Sequence, residues 1–142
     1  MTNLSAQAII DELELLPHPE GGYYRELYRD GTIDEPGALT TIYFLLLKNQ
    51  PSRWHRVLSS AEVWCFHAGS PLTLRMSNDL GKGSREVVLG ANVLLGERPQ
   101  YIVRPDEWQM AETSGAWTLV SCVVAPAFLF SNFEMVESPL SE

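Results

Sequence analysis

An all-β sandwich or barrel carrying one short N-terminal helix is the fold that this sequence predicts. Three observations predict it. Short strand-like runs recur with turn residues at close intervals. The chain has 142 residues, 45% hydrophobic and 20% charged, which suits one globular domain with a sizeable core. Third, the stretch from Arg53 to Gly69 reads as a β-hairpin that sets an imidazole and a carboxylate side by side in an apolar setting.

The elements follow in order. Residues 5 to 16 form the one convincing helix, with Ser5 as N-cap and Ile9, Leu13 and Leu16 at i, i+4 and i+7. Pro17 stops it. Leu16-Pro17-His18-Pro19-Glu20-Gly21-Gly22 is a rigid-then-flexible loop, and Tyr23 to Arg29 is strand-like. Asp30-Gly31 through Glu35-Pro36-Gly37 is a solvated turn. Leu39 to Leu47 is nearly continuous in apolar residues, so it is expected to be buried on both faces.

In the hairpin, His55 and Val57 share a face, as do Glu62, Trp64 and Phe66 on the second strand. Leu58-Ser59-Ser60-Ala61 makes the tight connection. Further strands are expected at Leu72 to Ser77, Arg85 to Leu89, Gln100 to Arg104 and Trp117 to Val124. Asn78 to Ser84 is a loop. Pro126 breaks the long strand, and Phe128 to Val136 forms a last edge. The whole chain, 1–142, is read as one domain, with helix and arm at 1–37 and the barrel at 38–136.

The net charge of −8 comes without any Lys/Arg cluster, which argues against nucleic acid and against an anionic membrane surface as partners. Met1 to Ser5 lacks the basic and apolar regions of a secretory signal. The longest apolar run, Ile42 to Leu47, is far too short to span a bilayer. A cytoplasmic location is therefore expected, and the sequon Asn3-Leu4-Ser5 carries no meaning there. Cys65 and Cys122 fit neither a disulfide framework nor a zinc spacing and are read as reduced thiols. Nothing electropositive activates Cys122, so it is read as structural.

The spacing His55-x-Val57-x4-Glu62-x6-Gly69 resembles the first cupin motif, H-x-H-x4-E-x6-G, with valine replacing the second histidine. Pro105-Asp106-Glu107-Trp108-Gln109 loosely resembles the second motif, P-x-G-x2-H, with Gln109 near the place of the histidine. Leu16 to Glu26, Ile42 to Leu46, Glu62-Val63-Trp64 and Val124-Ala125-Pro126-Ala127-Phe128 are similar to the DUF985 (cupin_5) group, over roughly residues 12 to 136. The resemblance implies a double-stranded β-helix, or jelly-roll barrel, with an open mouth and usually dimeric. It also implies an inward-facing ligand set. His55 and Glu62 keep the donor chemistry, Val57 cannot ligate, and Gln109 offers only a neutral amide oxygen. With His55, Glu62 and Gln109 as the donors, a divalent metal would be held weakly.

The competing reading keeps the pocket without a metal. His55 and Glu62 then form a hydrogen-bonded acid/base pair, as in metal-free cupins that epimerise nucleotide-linked sugars. Trp64, Tyr43 and Tyr24 would offer surfaces for a planar ligand or a sugar ring, and Gln109 would position it. Against this stands a packing role for His55 and Glu62, with Trp64 and Phe66 as core. His67 is out of phase with Glu62, Trp64 and Phe66 and belongs to the opposite face. His18 and Glu20 either fold over the mouth and serve the pocket or are solvated on a bend. One of two sets, Tyr24/Glu26/Tyr28 or Tyr23/Arg25/Leu27, faces the interior. Two functions remain: an isomerase, epimerase or lyase for a small polar, carbohydrate-like metabolite, or a non-catalytic binding module.

A jelly roll has edges to hide, and the aromatic-rich segment Tyr23 to Tyr28 is suited to cover one in a homodimer. Light scattering at micromolar concentration is expected to return twice the chain mass, and a monomer mass would count against it.

Overall fold

A computed structural model of the chain describes residues 5–32, 34–80 and 83–136. Two antiparallel sheets face each other. The first has strand order β1-β2-β3-β10-β5-β8: β1 is Leu16–Pro17, β2 Tyr23–Gly31, β3 Pro36–Leu47, β5 Ala61–Gly69, β8 Gln100–Val103 and β10 Trp117–Ala125. The second has order β11-β4-β9-β6-β7: β4 is His55–Val57, β6 Leu72–Ser77, β7 Arg85–Leu89, β9 Trp108–Thr113 and β11 Phe133–Met135. This is a jelly-roll β-sandwich with one helix, α1, at Ala6–Leu13. Among the described residues no helix is long and apolar enough to cross a membrane.

Ser5 caps α1 as its sequence suggests, its Oγ accepting from the Ala8 N–H at 3.1 Å. The helix is shorter than expected. Glu14 turns left-handed at φ 56° and returns its N–H to Asp11 and Ile10, so the helix ends at Leu13, well before Pro17. Leu16 therefore leaves the helical stripe and lies 66% exposed in β1. Ile9 and Leu15, with Leu13 beside them, pack against Leu45, Tyr43 and Leu47 on the outer face of β3. That cover explains why β3 is apolar on both faces: Phe44 and Leu46 point to the sandwich interior, and Leu45 points to the helix.

The sandwich is solid at one end. Phe44, Leu46 and Trp64 from the first sheet meet Leu72, Leu74, Met76 and Ala111 from the second. The other end, between β2, β3, β4 and β10, stays hollow. β6 and β7 occupy the predicted residues, while β9 was not foreseen. Its buried positions are Gln109 and Ala111, and its larger apolar residues Trp108 and Met110 lie on the other face, inverting the usual alternation. In the 78–84 loop, Gly81 and Lys82 lie outside the described residues, as do Met1 to Leu4 of the proposed N-terminal reading and Ile33 of the 30–37 turn.

The hairpin expected at 53 to 69 does not form. β4 pairs with β9 and β11, whereas β5 pairs with β10 and β8. Residues 58–60 carry the chain from one sheet to the other, with Ser59 left-handed at φ 68°. Both edges of each strand are already occupied, which leaves β4 and β5 no edge to share.

The loop between β1 and β2 turns sharply. His18 N–H donates to the Gly22 carbonyl at 2.9 Å and Gly21 N–H to the His18 carbonyl at 3.0 Å. Gly22 has φ 79°, and a Cβ there would lie 2.8 Å from the Leu45 carbonyl oxygen. Gly22→Ala is therefore expected to destabilise the fold by about 1–3 kcal/mol in denaturant titration. An unchanged midpoint would contradict this account of the loop.

Candidate functional site

The hollow end encloses a cavity of about 230 Å³. Its polar wall is built from three stretches: His18 and Glu20 on the β1–β2 loop, His55 on β4, and Glu62 on β5. Its apolar wall includes Ile42, Val57 and Val124, closed by Phe128, Phe130 and Phe133 from the C-terminal segment.

The loop is drawn inward by backbone bonds. The Arg53 N–H donates to the Glu20 carbonyl at 2.7 Å. The Arg53 carbonyl lies 2.8 Å from His55 Nδ1, and because a carbonyl only accepts, Nδ1 carries the proton. His55 Nε2 then presents its lone pair toward Glu20, whose Oε2 lies 3.2 Å away. That contact is off the hydrogen-bond direction: Oε2 is a buried side-chain oxygen without a hydrogen bond. His18 Nδ1 accepts the Glu20 backbone N–H at 3.0 Å and lies 3.4 Å from Glu20 Oε1. The His18 ring packs edge-on against Tyr24, with centroids 4.5 Å apart.

Glu62 is held from the solid end of the sandwich. Trp64 Nε1–H donates to Gln109 Oε1 at 2.8 Å, and Gln109 Nε2–H donates to Glu62 Oε1 at 2.8 Å. The relay orients the amide and fixes the carboxyl that meets the cavity.

Burial dominates the protonation of all four groups. It raises Glu20 well above the usual carboxylate range, and the charge of Glu62 adds to the effect. Burial also lifts Glu62 to about 7, against the opposing hydrogen bonds from Gln109 and Cys122. Burial lowers His55 to about 4, opposed by its bond to the Arg53 carbonyl. His18 falls to about 3 through burial and the nearby charge of His55. Near neutral pH both imidazoles are uncharged bases, burial favours the protonated form of Glu20, and Glu62 is poised to exchange a proton.

The chain matches the Cupin superfamily (DUF985) family over residues 7–136. It belongs to that family. A DUF985 cupin of this kind has solved relatives. A protein from Shewanella oneidensis is 36% identical with a TM-score of 0.85, the alignment covering 94% of this chain and 85% of that one. A hypothetical protein from Leishmania major is 35% identical with a TM-score of 0.83, covering 94% and 88%. The capsular polysaccharide assembling protein CapF from Staphylococcus aureus shares the cupin fold alone, at 9% identity and a TM-score of 0.65, over 87% of this chain and 34% of that one. Comparison with curated proteins gives no match.

Cupins of the metal-binding kind need convergent donors, and this one does not arrange them. Gln109 turns its amide oxygen to Trp64 and its N–H to Glu62, so it cannot serve as the third ligand. Val57 brings only a hydrocarbon. Among the described residues no group of three or more His, Cys, Asp or Glu side chains is placed to hold a metal ion. The expected set His55, Glu62 and Gln109 is thus corrected.

Other expectations are redistributed in the cupin pocket. His55 and Glu62 both line it, but His55 faces Glu20, and Glu62 takes its hydrogen bond from Gln109. The pairing of His55 with Glu62 is replaced by His55 with Glu20. Of the proposed ring platforms, Tyr24 lines the cavity. Trp64 is 1% exposed in the core, and Tyr43 packs under α1. Tyr24 and Glu26 face inward until a bulge between Glu26 and Tyr28 shifts the phase, so Arg29 joins the lining and Tyr28 is exposed. His67 sits on the outer face against Ser121. Cys122, read as structural, lines the cavity with its thiol pushed well up by burial and the Glu62 charge. The three phenylalanines were not singled out; their signal was the aromatic run Phe128, Phe130, Phe133 after Pro126.

A second, larger groove of about 720 Å³ lies beside β8. There Arg85 donates to Glu107 at 2.6 Å and to the Tyr101 hydroxyl at 2.7 Å, so its charge is matched internally.

These shifts give a pH signature. Between about 4.5 and 7 the unfolded chain has lost the Glu62 proton that the fold keeps, so stability falls as pH rises. His55 acts oppositely between about 4 and 6.5: the unfolded chain binds a proton that the fold excludes, and stability rises with pH. Above 6.5 the imidazole contribution is complete and the carboxyl contribution continues. Denaturant midpoints are expected to decline from pH 6.5 to about pH 8, and Glu62→Gln to weaken that decline. Parallel profiles for wild type and variant would contradict the assignment.

Proposed function

We propose that this cupin is a proton-transfer enzyme, an isomerase, epimerase or lyase, acting on a small polar metabolite held in the cavity. One observation carries the reading: a buried carboxyl, Glu62, near pKa 7, shares a pocket with an uncharged imidazole and with Glu20, whose carboxyl burial raises well above the usual range. A general acid or base works best when its pKa lies near the working pH. Glu62 is the group so matched. It takes the proton from substrate carbon, while Glu20, backed by His55, faces the charge that develops on the substrate. His55 at about 4 is too weak a base to lead. The aromatic wall lines one side of the pocket with hydrocarbon.

A second reading, a non-catalytic binding module, draws support from the same relay. Glu62 already accepts from Gln109 and is also bonded by Cys122, an arrangement that suits a fixed anchor as well as a mobile proton. A homodimer remains part of this proposal, supported by the exposed Leu27 and Tyr28 on β2.

The two readings separate by experiment. A thermal-shift screen across small metabolites selects binders, since a ligand of the native state raises Tm. Proton NMR in D2O then follows exchange at the acidic C–H of each binder. Enzyme-dependent exchange is expected, rising with pH through about 7 and lost at least about 10²-fold in Glu62→Gln, with binding retained. Binders that show no exchange or elimination would leave the binding module standing and remove the enzyme.

A further inference from the structure

Charge balance around the cavity points to what it holds. The titratable and charged groups facing it are His18 and Glu20 from the β1–β2 loop, Tyr24, Glu26 and Arg29 from β2, His55 from β4, Glu62 from β5 and Cys122 from β10. Among the described residues Arg29 is the one guanidinium in the lining, and it is already matched. Its Nε and one terminal nitrogen donate to the two Glu26 carboxylate oxygens at 3.2 and 2.7 Å, and the other donates to the Phe128 carbonyl at 2.6 Å. Among the described residues Glu20 and Glu62 have no such cation. Their neighbours are neutral imidazoles, an amide and a thiol.

An acidic pair alone would not make a site. The second observation is Glu20 Oε2, an acceptor on a residue only 7% exposed, lining the cavity without a hydrogen bond. Leaving a buried polar atom unpaired costs about 1–3 kcal/mol, a cost that an incoming N–H donor removes. The third is the opposite wall. Phe128, Phe130 and Phe133 stand edge-to-face with centroids 4.9–5.9 Å apart and present aromatic surface to the same space. Aromatic rings attract cations, and more strongly when water is excluded. The chain's net charge of −8 favours the approach of a cation as well.

We infer that the cavity takes a small organic ammonium ion, whose N–H donors meet Glu20 and whose apolar body rests on Phe128, Phe130 and Phe133. This rests on the cavity being the functional site and deepens the proposal above by naming the ligand class. With this ligand the incoming positive charge draws Glu20 to its carboxylate form, so Glu20 anchors the ammonium rather than facing the developing charge, and Glu62 remains the proton-exchanging group. Organic anions are disfavoured because Arg29 is already spent on Glu26.

The test compares three probes of one shape, benzylamine, benzyl alcohol and benzoate, by isothermal titration calorimetry with the full chain. Benzylamine is expected to bind at least about tenfold more tightly than benzyl alcohol, and benzoate more weakly than both. Glu20→Gln is expected to lower the benzylamine affinity about tenfold and leave benzyl alcohol within about threefold. Benzoate equal to or tighter than benzylamine, absence of benzylamine binding at millimolar concentration, or an unchanged amine affinity in a folded Glu20→Gln protein would each overturn the inference. Should that variant fail to fold, the wild-type series decides alone. These are equilibrium affinities, so lack of turnover would sink the enzyme reading and leave them untouched, whereas a preference for benzoate would sink the ammonium reading alone.

Discussion

One backbone unit, the peptide groups of Arg53, joins the two halves of the site. Its N–H takes the carbonyl of Glu20 and its carbonyl takes the Nδ1–H of His55. Without the first bond the β1–β2 loop would be a surface bend. With it, Glu20 reaches the interior although it lies 35 residues from His55 in sequence. The second bond selects the imidazole tautomer, so that a lone pair faces the carboxyl. Main-chain bonds suit this task because no side-chain rotamer needs to be ordered.

The consequence is an interior that concentrates unfavourable burial at one end. Two carboxyls and two imidazoles lose their water together, and each responds by moving toward its uncharged form. The solid end offsets this with Leu72, Leu74, Met76 and Phe44 packed across the sheets. Trp64 and Gln109 link the two ends: one contributes bulk to the core and a donor to the amide, and the other passes that order to Glu62.

Much of the fold was legible because local rules and burial agree. β6 and β7 sit where alternating apolar residues and flanking turns place them. Ser5 caps α1 as its side chain dictates. The failures share a cause, since each turns on partners distant in sequence. Leu58 to Ala61 is compatible with a tight turn, yet β9, β10 and β11 occupy the edges that a hairpin would use. The alternation of β9 is inverted because the buried Gln109 is satisfied by Trp64 and Glu62. Tyr43 sits in an apolar run whose two faces look alike, and α1 decides which face is which. In the site, the motif spacing identified His55 and Glu62 as inward residues. It could not show that Glu20 would take the place beside the imidazole, because that depends on Arg53 and on the positive φ of Gly21 and Gly22.

The substitution at Val57 makes chemical sense in this light. In a metal-binding cupin the second motif histidine adds a donor that converges with the first. Here the corresponding side chain is hydrocarbon, 4% exposed, on the same wall as His55. Val57 supplies no donor for a metal and leaves the imidazole beside hydrocarbon. The carboxyl of Glu20 approaches Nε2, the position from which His55 would otherwise coordinate. Phe128, Phe130 and Phe133 add further apolar surface to the same cavity. Valine at position 57, the inward loop and the phenylalanine wall thus surround His55 with hydrocarbon and one carboxyl rather than with convergent metal donors.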